Sequence, residues 1–357
     1  MDYNSYRRKT KEIKVGGILI GGSSPISVQS MTNTKTCDFE ATLRQVESLA
    51  SRGCDIVRIS VPDEESAGVF SYIKERGITT PLVADIHFNH KIAVAAIKAG
   101  ADKVRINPGN IGGKDKVCEV VAACLERDVP IRIGVNSGSL ENDLLQKYGA
   151  ASPEALAESA LRHVAILEGL SYDNIVISIK ASSTRSMIRA NQIISGKVNY
   201  PLHLGVTEAG AGDRAIVKSS VGIGTLLSLG IGDTVRVSLT DAPEKEVECA
   251  KNILSSLGLA SCGMDVVSCP TCARTKINLI GILSEFERRA AEEGIDSLPI
   301  KVAIMGCAVN GPGEAREADI GVAGGDGEAL LFKKGKTVRK ISEGSIVDEL
   351  IDEIKKM

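Results

Sequence analysis

From residue 27 to residue 257, short apolar runs alternate with amphipathic segments at a nearly constant pace. Such β-then-α units build a parallel sheet with helices over its faces, either closed or open. The expected strands are 26–31, 56–61, 81–86, 103–108, 131–136, 175–180, 202–208 and 234–240, with helices at 39–52, 91–99, 153–170 and 244–257 among those between them. Pro153 and Pro243 stand where helices should begin, positions at which a missing N–H costs little. Eight units over about 230 residues match a (β/α)8 barrel, whereas an open doubly wound sheet usually has fewer strands. The fold class expected is therefore α/β: a TIM barrel over residues 1–258, with KEIKVGGILIGG as a hairpin closing its floor, followed by a small α/β domain over 259–357.

After Gly258 the rhythm changes. Ser261-Cys262-Gly263 reads as a junction. A long helix is expected at 275–293, a strand at 301–305, a glycine-rich loop around Cys307, a hairpin over 320–336 and a final helix from Ser345.

Strands of a parallel barrel are buried on both faces and should be purely aliphatic, yet several here carry charge. Alternation puts Arg58 on one face with Ser60, Arg105 with Asn107, Arg132 with Asn136, Ser178 with Lys180, and Arg236 with Ser238. Barrel enzymes work at the carboxyl ends of their strands. These residues therefore aim a cation, or its polar neighbour, at one mouth. Asp85, Glu208 and Asp241 also lie near strand ends and offer internal pairing, but they are too few to neutralise all the cations. Uncompensated buried cations demand an anion, and arginine forks suit phosphate oxygens. Glu208, in HLGVTEAG, is the candidate acid or base, since a carboxylate beside an anion site tends toward a raised pKa. Asp85 shares a strand face with His87, and His203 lies on the seventh strand; a buried histidine is as readily a hydrogen-bonded core residue as a catalyst.

A second chemistry sits in the last quarter. Cys269 and Cys272 form a Cys-x-x-Cys pair in SCPTCAR, and Cys307 opens CAVNGPGEA, which ends near Glu314. The spacing alone admits an iron–sulfur cluster, a structural zinc or a redox thiol pair. All four histidines precede residue 204, so zinc would have to recruit Cys262. Cys37, Cys54, Cys118, Cys124 and Cys249 sit mostly in helical patterns and read as packing residues. Nucleotide loops are missing: GIGT at 222–225 lacks the third glycine of a dinucleotide fingerprint, and Leu330 stands where a P-loop needs glycine. A net charge of -2, no tryptophan and 3% aromatic residues argue against a nucleic-acid partner. No run approaches the length of a membrane span, and the first fifteen residues have no signal-peptide core. Nine cysteines without such a core point to a reducing, cytoplasmic setting.

VQSMTNT, VRISVP, PLVADIHFN, KVRINPGNIG, IRIGVNSGSL, HLGVTEAG, SCPTCARTKINL and MGCAVNGPGEA occur in this order. With these motifs the chain, over nearly its whole length, resembles the 4-hydroxy-3-methylbut-2-enyl diphosphate synthases of the methylerythritol phosphate route to isoprenoids. It resembles their compact bacterial form, without the large insertion of plant members. Ala273 departs from a frequent glycine, without expected consequence. The resemblance implies a [4Fe–4S] cluster on Cys269, Cys272, Cys307 and Glu314, making the second domain an iron–sulfur domain. It implies reductive opening and dehydration of 2-C-methyl-D-erythritol 2,4-cyclodiphosphate, with electrons from reduced flavodoxin or ferredoxin. Arg58, Arg105, Arg132, Lys180 and Ser238 would hold the diphosphate, assisted by Asn107 and Asn136. Glu208 would act as acid or base, positioned by Asp85. The resemblance also implies a homodimer in which one subunit's cluster domain caps the other's barrel, hinged at 258–263.

Overall fold

A computed structural model describes residues 3–260, 263–307 and 317–357 of the chain. It divides into two compact units, Met1–Ala260 and Ser261–Met357.

The first unit begins with an antiparallel hairpin, β1 (Ile13–Val15) and β2 (Ile18–Ile20), and continues with eight parallel strands. These are β3 (Ser27–Met31), β4 (Ile56–Ser60), β5 (Leu82–Asp85), β6 (Lys103–Ile106), β7 (Ile131–Asn136), β8 (Ile175–Lys180), β9 (His203–Leu204) and β10 (Thr234–Val235). Their order is β8-β7-β6-β5-β4-β3-β10-β9, and a parallel bridge from Ile177 to Leu202 joins the two ends into a barrel. Helices start where polar caps allow. Asp38, Asn89, Ser152 and Ser183 each accept a backbone N–H of the first turn, while Pro153 and Pro243 each occupy a first helical turn. The hairpin's Ile13, Val15 and Ile20 pack on Ile56, Val83 and Val176, so an apolar plug fills the amino-terminal floor. Each buried side chain there contributes about 1.5–3 kcal/mol.

β9 and β10 are much shorter than the apolar runs that suggested them. Gly205 lets the backbone come so close to Arg236 that a Cβ would stand 2.5 Å from its carbonyl oxygen. Glu208 then takes a left-handed conformation (φ 54°), and Leu239 donates its N–H to Glu246 Oε1 rather than to a ladder partner. The chain thus leaves the sheet early and spends those residues on the rim.

The second unit is a five-stranded sheet, β11 (Asp265–Ser268), β12 (Lys301–Met305), β13 (Ile320–Gly324), β14 (Glu328–Lys333) and β15 (Lys336–Ser342), in that order. The first three strands run parallel and the last two antiparallel. Helices Leu279–Glu292 and Ile346–Ile354 bury Ile282, Phe286, Leu350 and Ile354 in one core with Val302, Ile304, Val322 and Leu331. The first helix starts at the cap Asn278, later than the expected 275, because Thr275 instead bonds the Cys272 N–H. β11 was not expected: its four residues are half exposed and too few to show a period.

Candidate active site

Register decides what enters the barrel. Arg58 is opposite Val83, Asp85 opposite Arg105, and Arg105 opposite Arg132, so one inward face carries all of these charges. Arg58, Asp85, Arg105, Asn107, Arg132 and Lys180 are all buried. Asp85 is the hub, with Arg105 at 3.1 Å and Arg58 at 3.7 Å. Burial favours the neutral acid, but Arg58, Arg105, Arg132 and His87 overcome it and hold the carboxyl well below its usual range. Burial also brings Arg58 down to about 10, although Asp85 pulls the other way. Two nitrogens of Arg58 lie 3.0 and 3.2 Å from Met31 Sδ, a soft and weak acceptor.

Arg105 also donates to the carbonyl of Gly134 (3.2 Å). With its amide oriented to accept, the Asn136 oxygen lies 3.0 Å from Arg105 Nη2. Gly134 is required here: a Cβ would stand 2.1 Å from Arg105 Nε. Asn107 caps the turn Pro108–Ile111 through its side-chain oxygen, leaving the amide N–H groups as donors.

The remaining cations have no acceptor among the described residues. All three guanidinium nitrogens of Arg132, Lys180 Nζ and Lys103 Nζ are buried without a hydrogen-bond partner there. Burial, reinforced by neighbouring cations, pushes both lysines and Arg132 well below their ordinary values. A guanidinium keeps its proton in proteins, so for Arg132 this opposition amounts to a demand for an anion. Arg236 is the exception: Glu246, from the helix Pro243–Ser256, grips it at 3.0 Å and also takes the Ser30 hydroxyl. The internal partner expected for the strand cations was thus partly misplaced: Asp85 serves, Glu246 was overlooked, and Asp241 pairs with Lys245 on the surface.

Above these groups opens a cavity of about 320 Å³ whose wall includes Arg105, Asn107, Asn136, His87, Phe88 and Glu208. Glu208 is exposed on the rim, and Ser238 is half-buried on the segment after β10, off this wall. His203 is fully buried; Nδ1 meets the Thr234 hydroxyl at 2.8 Å and Nε2 is unpartnered. Burial, with Arg132 nearby, keeps it neutral. Sequence reasoning missed Lys103 and Gln29, both inward and buried; alternation from Arg105 would have found the lysine. A larger cavity, about 520 Å³, lies between helices Gly212–Ser228 and Pro243–Ser256. Its wall holds Asp213, Asp241 and Glu248 and none of the buried cations.

In the second unit, β11 and β12 lie side by side, Ser268 opposite Ile304. Cys269 follows one strand and Cys307 stands two residues beyond the other, so both thiols leave the same sheet edge. Cys269 Sγ accepts the Gly306 N–H at 3.3 Å. Cys272 is exposed, and the Arg274 backbone N–H, ahead of its guanidinium, draws the thiol pKa down. Among the described residues no three His, Cys, Asp or Glu side chains converge on a single-ion position. Backbone N–H donors to sulfur suit an iron–sulfur group. Soft thiolates at one edge fit such a group. Glu314 and Cys262 lie outside the described residues.

Residues 10–251 match the model of the GcpE TIM-barrel domain, and residues 265–356 that of the GcpE protein C-terminal domain. The chain belongs to the GcpE family. Curated relatives within it are named 4-hydroxy-3-methylbut-2-en-1-yl diphosphate synthase (flavodoxin). One, from Clostridium tetani, is 57% identical over 98% of this chain and 99% of its own length. Another, from Caldanaerobacter subterraneus subsp. tengcongensis, is 54% identical over 98% of both. Among solved structures, dihydropteroate synthase from Stenotrophomonas maltophilia superposes with a TM-score of 0.51 at 15% identity, covering 70% of this GcpE chain and 100% of its own. Type I 3-dehydroquinate dehydratase from Clostridium difficile gives 0.51 at 13%, covering 70% and 98%. At these identities the likeness concerns the barrel fold alone.

Proposed function

We propose that the protein converts 2-C-methyl-D-erythritol 2,4-cyclodiphosphate to 4-hydroxy-3-methylbut-2-enyl diphosphate in isoprenoid precursor synthesis, taking electrons from reduced flavodoxin. Relatives above half identity over almost the full length support this activity. The observation that carries it is the pair of buried cations Arg132 and Lys180, whose nitrogens find no acceptor among the described residues and which a diphosphate would satisfy.

In this reading Arg58, Arg105, Arg132 and Lys180 bind the diphosphate, with the amide N–H groups of Asn107 and Asn136 and the Ser238 hydroxyl completing its contacts. Asp85, held ionised, locks Arg105 and Arg58 in place before substrate arrives, so little reorganisation is left for the reaction. Glu208, on the rim above the diphosphate cavity, exchanges a proton with the departing hydroxyl. Cys269, Cys272 and Cys307, with Glu314, would hold a [4Fe–4S] cluster, which supplies single electrons and an iron open to substrate. Ferredoxin is the alternative donor. The reading includes a homodimer in the cytoplasm; no helix among the described residues is long and apolar enough to cross a membrane.

Anaerobic purification followed by turnover of the cyclic diphosphate with reduced flavodoxin tests the proposal. Brown protein that forms the linear diphosphate supports it. Colourless, zinc-loaded protein inert toward this substrate removes it.

A further inference from the structure

Beneath the mouth, the interior holds a layer that the proposed chemistry does not use: Gln29, Lys103 and His203, each at most 1% exposed; Lys103 and His203 both feel the charge of Arg132. Lys103 precedes Arg105 by two residues on β6 and therefore faces inward one step deeper. Charged and titratable groups enter from the surrounding strands: Arg58 from β4, Asp85 from β5, Arg132 from β7, Lys180 and His203 from β8 and β9, and Arg236 just after β10. From β3 comes the uncharged Gln29. Asp85 and Glu246 are committed to arginines, so among the described residues no carboxylate is left for Lys103.

We propose that Lys103 takes up a proton from solvent when a cyclic diphosphate enters the mouth, so that the charge of the interior adjusts to its ligand. The inference rests on the diphosphate reading above. In the free protein, burial and then Arg132 and Arg58 disfavour the ammonium form. A ligand dianion on Arg132 and Arg58 cancels the repulsion from those two groups, and the amine becomes easier to protonate. Only an N–H bond forms, and a buffer acid supplies the proton.

Burial, then Arg236, Arg58 and Arg132, oppose a charged Lys180, which responds to the same dianion, so the uptake that belongs to Lys103 is the part its replacement removes. His203 also feels Arg132, but imidazole starts about four units below an amine. Because binding raises the lysine's pKa, protons are taken up between its free and bound values. Across that window affinity falls as pH rises, by up to tenfold per unit.

Anaerobically purified protein, without reductant, is titrated calorimetrically with 2-C-methyl-D-erythritol 2,4-cyclodiphosphate in buffers of different ionisation enthalpy. This ligand keeps one charge per phosphorus near neutrality, so its own titration does not intrude. The wild type should take up close to one proton more than Lys103→Met and Lys103→Gln, and its Kd should climb more steeply with pH than theirs. Binding with equal uptake in all three proteins, or with none in the wild type, overturns the proposal while leaving the diphosphate reading intact. No binding by the wild type sinks both. Removing an unpaired buried amine should leave both variants folded, which their unfolding midpoints check.

Discussion

Arg132→Met should make the protein more stable and less able to bind its substrate. Arg132 is fully buried, none of its guanidinium nitrogens has an acceptor among the described residues, and among its charged neighbours Arg58 and Arg105 share its sign. Methionine keeps an unbranched stem and removes the charge. Replacing buried ionic groups with apolar ones of similar shape is commonly neutral or stabilising by about 1–4 kcal/mol. The space left by the guanidinium subtracts from this at about 24 cal/mol per Å³, so a void of about 30 Å³ costs about 0.7 kcal/mol. A net gain of about 1–3 kcal/mol raises the barrel's unfolding midpoint by roughly 5 °C, at about 2–4 °C per kcal/mol for a domain of this size. Losing one charge-assisted contact, about 1.5–3 kcal/mol, weakens binding of the cyclic diphosphate by about 10- to 150-fold. Thermal unfolding with and without ligand measures both effects, because saturating ligand stabilises according to its affinity. A lowered midpoint, or an affinity equal to the wild type's, would refute the reasoning that this arginine waits unpaired for an anion.

Gly134→Ala puts a methyl group 2.1 Å from Arg105 Nε, so KM for the cyclic diphosphate should rise at least tenfold and stability fall by about 1–3 kcal/mol; unchanged steady-state kinetics would contradict the crowding. Glu208→Gln should preserve iron content and substrate affinity while losing most turnover, and a near-normal kcat removes its acid–base role. Glu314→Ala should leave a cluster that is labile or loses an iron, read by iron content and electron paramagnetic resonance; wild-type values count against the carboxylate as ligand.

Much of the barrel was legible because its strongest signals are local. Residues 131–136 and 175–180 are apolar runs long enough to show both ends, and the strands occupy the same spans. The runs at 202–208 and 234–240 looked alike but were not: Gly205 and the left-handed Glu208 end pairing after two residues, a tertiary constraint that no period reveals. Strand alternation also placed Arg58, Arg105 and Arg132 on one face, since side-chain direction follows from parity alone. Which acid answers which base was less visible. Glu246 comes from a helix and reaches Arg236 through the fold, whereas Asp241, nearer in sequence, turns outward to Lys245. β11 escaped notice because four half-exposed residues carry too little pattern.

The apolar hairpin beneath the barrel has a consequence for traffic. With its base stoppered by Ile13, Val15 and Ile20, the barrel is a one-ended vessel rather than a tube. Substrate, departing product, water and any proton bound for Lys103 must all use the same doorway. A seated ligand therefore corks its own exit route, and turnover obliges each product molecule to vacate before the next guest can enter.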